Sequence, residues 1–355
     1  MLCVILAVKA LDLQKENSRL SQNNENLMIA LNKEQEISEA EALASKNEET
    51  GEEDIAFSEP VSDSLSSDMV PLDQKTMGTI KEYAEQGKSF LTTLKAIFSD
   101  QFVLADEGRF YFKEIDPALR PYSYDDSKIQ LTEEGIITYD DEDMDISYGI
   151  DVSQYNGEID WELMKEAEQI PDFVYIRAGI RGYTSGRLVA DTQVSANLAG
   201  ARELGSEVGI YFVTQAVNEE EAREEARFVI ETLSDNKVDL PIALDVEKVE
   251  NYDTEPRTKN LSAEEYSRNV LAFADEMKQY GYETIVYGNG KTFMLMLDAK
   301  MLDDVDKWFA DYVATDDYIP YFPYDFSIWQ FSSTGHVMGI TGDVDFNIRF
   351  DQPGV

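Results

Sequence analysis

The strongest candidate for chemistry is a pair of carboxylates two residues apart. The apolar run Pro241-Ile242-Ala243-Leu244 leads straight into Asp245-Val246-Glu247. Residues i and i+2 of a strand face the same side, so the two carboxyls are expected to meet. Ionising one then raises the pKa of the other. That arrangement suits a proton donor beside a permanent anion, as cleavage of a glycosidic bond requires. Spacing alone leaves a second reading open, in which the pair caps a loop or binds a cation.

The rarest residues narrow the choice. The chain has one cysteine, Cys3, and one histidine, His336. A zinc site of the usual His and Cys ligands cannot be assembled from these, nor can an intramolecular disulfide. A Cys-His nucleophile pair would need residues from opposite ends of the chain, and a Ser-His-Asp triad could use only His336. A hydrolase of this composition therefore works with carboxylates. The 71 acidic and 30 basic residues give a net charge of -41, which argues against nucleic-acid binding because phosphate contacts need clustered Lys and Arg.

The elements that must position these groups are read from the patterning. Residues 2–8, Leu-Cys-Val-Ile-Leu-Ala-Val, are apolar but far short of the ~20 residues that span a bilayer. Three readings stand: the tail of a membrane anchor, a poor signal sequence, or the start of the next helix. Leu6, Leu13, Leu20 and Leu27 recur every seven residues, with Ala10, Asn17, Asn24 and Leu31 in the complementary seam. The pattern suggests a coiled coil over 1–33, a homodimer if two-stranded; a single amphipathic helix is the alternative. Residues 34–72 are rich in Glu, Ser, Asp and Asn and read as an acidic disordered linker.

Residues 73–145 read as a small α+β unit. Ile80, Tyr83, Phe90, Leu91, Leu94, Ile97 and Phe98 fall at helical spacing. Two hairpin-like turns follow, at Asp106-Glu107-Gly108 and Glu133-Glu134-Gly135. No catalytic constellation is found there, so a spacer or packing role is expected. From 146 to 355 strands and helices alternate. Expected strands start at Tyr148-Gly149-Ile150 and recur at 173–176, 209–212, 241–244 and 284–287. Helices are expected over 161–168, 193–204, 219–233 and 263–280. Three further strands, around 307–310, 326–329 and 344–346, are joined mostly by loops. About five β/α units followed by three strands predict an irregular, TIM-like α/β barrel, with an open doubly wound sheet as the alternative. No Gly-x-Gly-x-x-Gly follows the first strand, so no dinucleotide site is indicated.

Active sites of such barrels cluster at the C-terminal strand ends. Those ends carry Asp151, Tyr211, Asp245 with Glu247, Tyr287, Asp311 with Tyr312, Trp329 with Gln330, and Asp345 with Asn347. Tyr211, Tyr287, Tyr312 and Trp329 are candidates for stacking on sugar rings.

The segment Gly149-Ile150-Asp151-Val152-Ser153-Gln154-Tyr155-Asn156-Gly157, with Ile159-Asp160-Trp161, resembles the opening of glycoside hydrolase family 25, the muramidase-type lysozymes. The likeness continues through Asp191 and Asn197, residues 209–212, 241–247, 308–312 and 328–330, and ends with Gly339-Ile340 and residues 344–347. It covers roughly residues 146–352. The resemblance implies hydrolysis of the β-1,4 bond between N-acetylmuramic acid and N-acetylglucosamine in peptidoglycan. It implies Glu247 as general acid and Asp245 as the carboxylate assisting a substrate acetamido group. Asp151 and Asp345 would complete the acidic set, and Tyr211, Tyr287, Asp311, Tyr312, Trp329 and Gln330 are the candidate substrate contacts. It also implies retention through the 2-acetamido group, with no metal or organic cofactor. Tyr155 stands where many members carry His or Trp.

Other readings of the chain are an inactive wall-binding surface protein, a surface stalk, and a glycosidase on a related N-acetylated glycan such as chitin. Peptidoglycan lies outside the bacterial membrane, so the expected location is extracellular or at the cell surface, with an N-terminal membrane tether.

Overall fold

The computed structural model describes residues 74–106, 108–249, 254–312 and 318–351. The expected coiled coil, linker, tether and dimer contact lie outside the described residues. No helix among the described residues is long and apolar enough to cross a membrane.

The chain first forms α1 (Gln74–Glu85) and α2 (Phe90–Ile97), the latter capped by the Ser89 side chain, which accepts from Thr92 N. Two small antiparallel hairpins follow: β1 (Gln101–Asp106) with β2 (Arg109–Glu114), and β3 (Ile129–Leu131) with β4 (Ile137–Tyr139). The barrel begins with β5 (Asp145–Val152), α3 (Trp161–Glu166), β6 (Phe173–Arg181), β7 (Leu188–Ala190) and α4 (Val194–Leu204). It continues with β8 (Glu207–Val213), α5 (Glu219–Leu233), β9 (Ile242–Asp245), α6 (Ala263–Gln279) and β10 (Thr284–Asn289). It ends with β11 (Asp306–Ala310), β12 (Ile328–Gly335) and β13 (Val344–Asp351). Polar caps start α3, α5 and α6: Asp160 accepts from Leu163 N, Asn218 from Glu221 N, and Ser262 forms a reciprocal capping box with Glu265.

The strand order is β5-β13-β12-β11-β10-β9-β8-β6, and pairing of β5 with β6 closes the ring. This is the expected α/β barrel, not an open sheet. β7 stands outside the ring as an antiparallel addition to β6 that the sequence pattern did not show. Neighbours from β6 round to β12 are parallel, but β13 runs antiparallel to both β12 and β5. A short connection rather than a crossover helix joins β12 to β13, and only antiparallel strands can be joined that way. Asp345 therefore reaches the active rim from the start of its strand, not from its C-terminal end.

Alternation along each strand divides the apolar residues into two cores. Leu198, Phe212, Val229, Leu244, Phe273 and Phe309 belong to the large core outside the strands, among the helices. Phe173, Tyr175, Ala243, Ile285, Trp308 and Ile328 form a second cluster inside the ring. There β6 places two rings, and each faces a glycine on the neighbouring strand. Phe173 pairs with Gly149 of β5, and Tyr175 with Gly209 of β8. A methyl at Gly149 would lie 2.3 Å from the Phe173 ring, and one at Gly209 2.4 Å from the Tyr175 ring. Large beside small is how a narrow barrel fills without strain.

The N-terminal hairpins pack along the outside of the barrel. Tyr124 and Tyr139 set their rings against Phe350 with centroids 4.2 and 5.4 Å apart, and Phe102 stacks on Tyr321 at 4.6 Å. Backbone bonds knit the same surface, Tyr122 N to Pro323 O at 3.0 Å and Asp325 N to Arg120 O at 3.1 Å.

Gly209→Ala is expected to destabilise the fold by about 1–3 kcal/mol, because Tyr175 is fully enclosed and has nowhere to move. Urea unfolding would check it; an unchanged midpoint would mean that the ring can give way.

Candidate active site

The inward alternation of the strands delivers side chains to one rim. β5 brings Asp151, β6 Arg177, β8 Tyr211, β9 Asp245 and β10 Tyr287; β12 brings Gln330, and β13 Asp345 and Asn347. Strand β9 ends at Asp245, so Glu247 stands just beyond it. A cavity of about 410 Å³ opens there. It is lined by Asp151, Asp245, Glu247 and Asp345 together with Tyr211, Tyr287, Tyr312 and Gln330. A larger cleft, about 690 Å³, lies where residues 113–119 meet residues 293–300. None of the predicted site residues lines it, and its Asp116 is tied to Lys300 at 2.8 Å.

Buried amides hold the acidic floor in place. Asp151 Oδ2 accepts from Gln330 Nε2 and from Asn347 Nδ2, both at 2.8 Å. The other ends of these amides are occupied too. Gln330 Oε1 accepts from the Tyr287 hydroxyl at 2.8 Å and the Tyr312 hydroxyl at 3.0 Å. Asn347 Oδ1 accepts from Trp308 Nε1 at 2.8 Å. Each amide is thereby fixed in orientation and presents only donors to Asp151.

Asp345 pairs directly across the sheet with Asp151. Burial raises the pKa of both. Asp151 has two amide donors to stabilise its charge, and Asp345 is hydrogen-bonded to it. Burial and the neighbouring Asp151 charge push Asp345 up to about 8. Near neutrality the two therefore hold one proton between them, with Asp345 as its carrier.

Asp245 is buried, whereas Glu247, two residues on, is exposed at the mouth. Burial, then the charges of Glu247 and Asp151, push the Asp245 carboxyl well up, and Arg177 pulls it back. Asp245 Oδ1 accepts no hydrogen bond among the described residues. A buried carboxyl oxygen in that position is suited to a donor brought by a ligand. Arg177 is itself held by Asp191, with Nε and an Nη atom both 2.8 Å from Oδ2, and lies over the exposed Tyr155 ring at 4.7 Å.

Two expected substrate contacts are placed elsewhere. Trp329 is fully buried outside the ring, next to Phe331, and its Nε1 donates to Asp311 O at 2.8 Å. Asp311 does not line the cavity; its Oδ2 accepts from Tyr321 N at 2.9 Å. One fact corrects both: Gln330 and Tyr312 point inward, so the residues beside them in sequence point outward. The tryptophan at the cavity is Trp308, one strand away. Arg177 is absent from the predicted set, and Asn347, expected at this rim beside Asp345, is not among the predicted contacts. Arg177 was visible as the next inward position after Phe173 and Tyr175, and Asn347 shares a face with Asp345.

The sequence model of glycosyl hydrolases family 25 matches residues 150–340, more than half of the chain. The chain belongs to this family. It is therefore a glycoside hydrolase. The family 25 chain is 31% identical over 206 residues to the uncharacterized protein YegX of Escherichia coli K12, covering 57% of this chain and 68% of YegX. Its fold is similar to that of the modular autolysin LytC of Streptococcus pneumoniae, solved in complex with a synthetic peptidoglycan ligand. The TM-score is 0.50 at 23% identity, and the match covers 71% of this chain and 57% of LytC. The spore cortex lytic enzyme SleM of Clostridium perfringens shares the fold at a TM-score of 0.50 and 21% identity, over 60% of this chain and 69% of SleM. The family match begins inside β5, so the hairpins that precede it lie outside the matched region.

The shared proton gives a test. The folded-state pKa of Asp345 lies above its unfolded value of 3.8. Its contribution to stability is thus full below pH 3.8 and lost as the pH rises through about 8. Asp345→Asn keeps a neutral donor facing Asp151 and removes the titration. Urea midpoints of this variant should decline less than those of the wild type between about pH 4 and 8; parallel declines would exclude Asp345 as the proton carrier.

Proposed function

We propose that the chain hydrolyses peptidoglycan at the β-1,4 bond between N-acetylmuramic acid and N-acetylglucosamine, with Glu247 as general acid and Asp245 assisting the 2-acetamido group of the substrate. The observation that carries this reading is the contrast between two carboxyls two residues apart. Glu247 is exposed at the cavity mouth, where a leaving oxygen would sit. Asp245 is buried below it with one oxygen lacking a partner among the described residues. Similarity to family 25 and to the LytC fold supports peptidoglycan as the polymer.

On this reading Glu247 gives its proton to the glycosidic oxygen as the C1–O bond breaks. The acetamido carbonyl oxygen attacks C1 from the opposite face and closes a ring. Asp245 Oδ1 accepts the acetamido N–H; a donor at that oxygen favours the charged carboxylate against the burial that opposes it. Water then opens the ring, and the Glu247 carboxylate takes a proton from it, with net retention. This differs from the common two-carboxylate scheme because the nucleophile belongs to the substrate. Tyr211, Tyr287, Tyr312 and Trp308 give the cavity aromatic faces for sugar rings. Burial keeps the Tyr211 and Tyr287 hydroxyls protonated, so they remain donors. A peptidoglycan substrate, which lies outside the bacterial membrane, supports an extracellular or cell-surface location.

Two substrates separate the two carboxyl roles. On purified peptidoglycan, Glu247→Gln should lower kcat by roughly 10²–10⁴-fold. On an aryl glycoside of N-acetylmuramic acid, whose leaving group departs without a proton, much of that loss should vanish, whereas Asp245→Asn should stay impaired on both. Mass spectrometry of the wall digest should show new reducing-end muramic acid. Reducing-end glucosamine, or full lysis by a folded Glu247→Gln, would refute the reading.

A further inference from the structure

The hairpin β1–β2 lies outside the family-matched region, yet it touches the catalytic rim at two points. Asp106, the last residue of β1, is 9% exposed and lies 2.7 Å from Lys248 Nζ and 3.0 Å from Lys291 Nζ. Lys248 is the residue after Glu247, and Lys291 follows the end of β10, the strand that carries Tyr287. One carboxylate thus joins the loop beyond β9 to the loop beyond β10. The two ammonium groups hold Asp106 below the usual carboxylate range against the opposing effect of burial, so it is charged wherever the enzyme would work.

The second contact is made by the same strand, toward the segment that follows β11. Val103 N donates to the Tyr321 hydroxyl at 2.9 Å, and Phe102 stacks on the same ring. Tyr321 N in turn donates to Asp311 Oδ2, beside Tyr312, which lines the cavity. Phe102 also lies close against Gly290, so that a methyl there would meet its ring at 3.2 Å. Glu247 and Tyr312 thus each stand one residue from a group bound by β1 or by its partner Tyr321.

We propose that Asp106 is a positioning residue for hydrolysis: it holds Lys248, and through it fixes the loop that presents Glu247, making the β1–β2 hairpin a working part of the glycosidase site. This rests on the reading of Glu247 as proton donor. Among the described residues, Asp245 from β9, Tyr287 from β10, Tyr312 after β11 and Asp345 from β13 feel the charge of Glu247, and Arg177 from β6 lines the same cavity. Lys248 is the adjacent cation, and Asp106 draws its ammonium to the hairpin side. Released, that ammonium could approach the Glu247 carboxylate and stabilise its charged form.

The test uses the full chain. Asp106→Asn should lower kcat on peptidoglycan by about tenfold with KM little changed, the mark of misplacement rather than lost binding. It should also move the basic limb of the pH–rate profile to lower pH. The defect should shrink on the aryl glycoside, which needs no proton donor, and Asp106→Glu should recover most of the rate. If Asp106→Asn does not fold, Lys248→Met, which leaves Asp106 paired with Lys291, should show the same kcat loss with the same substrate dependence. A folded Asp106→Asn or Lys248→Met with wild-type kcat and pH profile would overturn the proposal. So would a loss equal on both substrates. If instead Glu247→Gln is fully active, it is the proton-donor reading that fails.

Discussion

The site depends on keeping several carboxyls together at a barrel mouth with little cationic help. Asp151, Asp245 and Asp345 are buried or partly buried within one cavity, and among the described residues Arg177 is the one base lining it. Burial and mutual repulsion both oppose their ionisation. The structure resolves this by donating neutral hydrogen bonds and sharing protons rather than by adding positive charge. Gln330 and Asn347 supply the donors to Asp151, and Tyr287, Tyr312 and Trp308 fix those amides so that no acceptor turns toward it. Asp345 retains a proton instead of demanding a counterion. A site of this kind stays acidic and able to donate, which glycosidic cleavage needs, without a cation close enough to hold every carboxyl charged.

That solution requires the ring to close as it does. Asp151 and Asp345 meet because β13 pairs antiparallel with β5, residue against residue. Asn347 lies on the same face of β13 as Asp345 and so reaches the same carboxylate. The packing below the rim sets the register: the rings of Phe173 and Tyr175 fit only because glycines lie opposite them on β5 and β8. A shift of one residue along β5 would bring Ile150 to Phe173 and turn Asp151 out of the cavity. Core packing and acid placement are therefore one constraint, written into the alternation of the same strands.

Much of this was legible in the sequence because chemistry-bearing residues followed apolar runs at strand ends. The barrel, its closing strands and a convergent acidic set could be read from that pattern. What could not be read was which member of an adjacent pair faces inward. Asp311-Tyr312 and Trp329-Gln330 each offered two polar or aromatic candidates, and an end-of-strand position does not state the phase of the alternation. Inward-facing Gln330 and Tyr312 put Trp329 and Asp311 in the outer packing. Arg177 is hidden for the opposite reason: it continues the phase of Phe173 and Tyr175, but a lone base after an apolar strand carries no signal of glycosidic chemistry. The direction of β13 was also hidden, since a short apolar stretch looks the same in either orientation.

The hairpins before the barrel illustrate a different limit. Residues 101–114 read as a hairpin with no chemistry of its own, and by composition that is correct. The significance of Asp106 appears only when its partners are known, because Lys248 and Lys291 are distant in sequence and unremarkable in type. A general acid at an exposed mouth gains precision from whatever limits its loop. The barrel's own bonds hold the residue before Glu247, with Val246 N donating to Tyr287 O at 3.0 Å and Val246 O accepting from Thr292 Oγ1 at 2.9 Å, and a tie at Lys248 limits the chain on the other side. The ion pair from Lys248 to the buried Asp106 carboxylate on the neighbouring hairpin supplies that tie. The fixed position of β1, set by Phe102 and Val103 against the Tyr321 loop, is what makes that contact a restraint rather than a mobile surface pair.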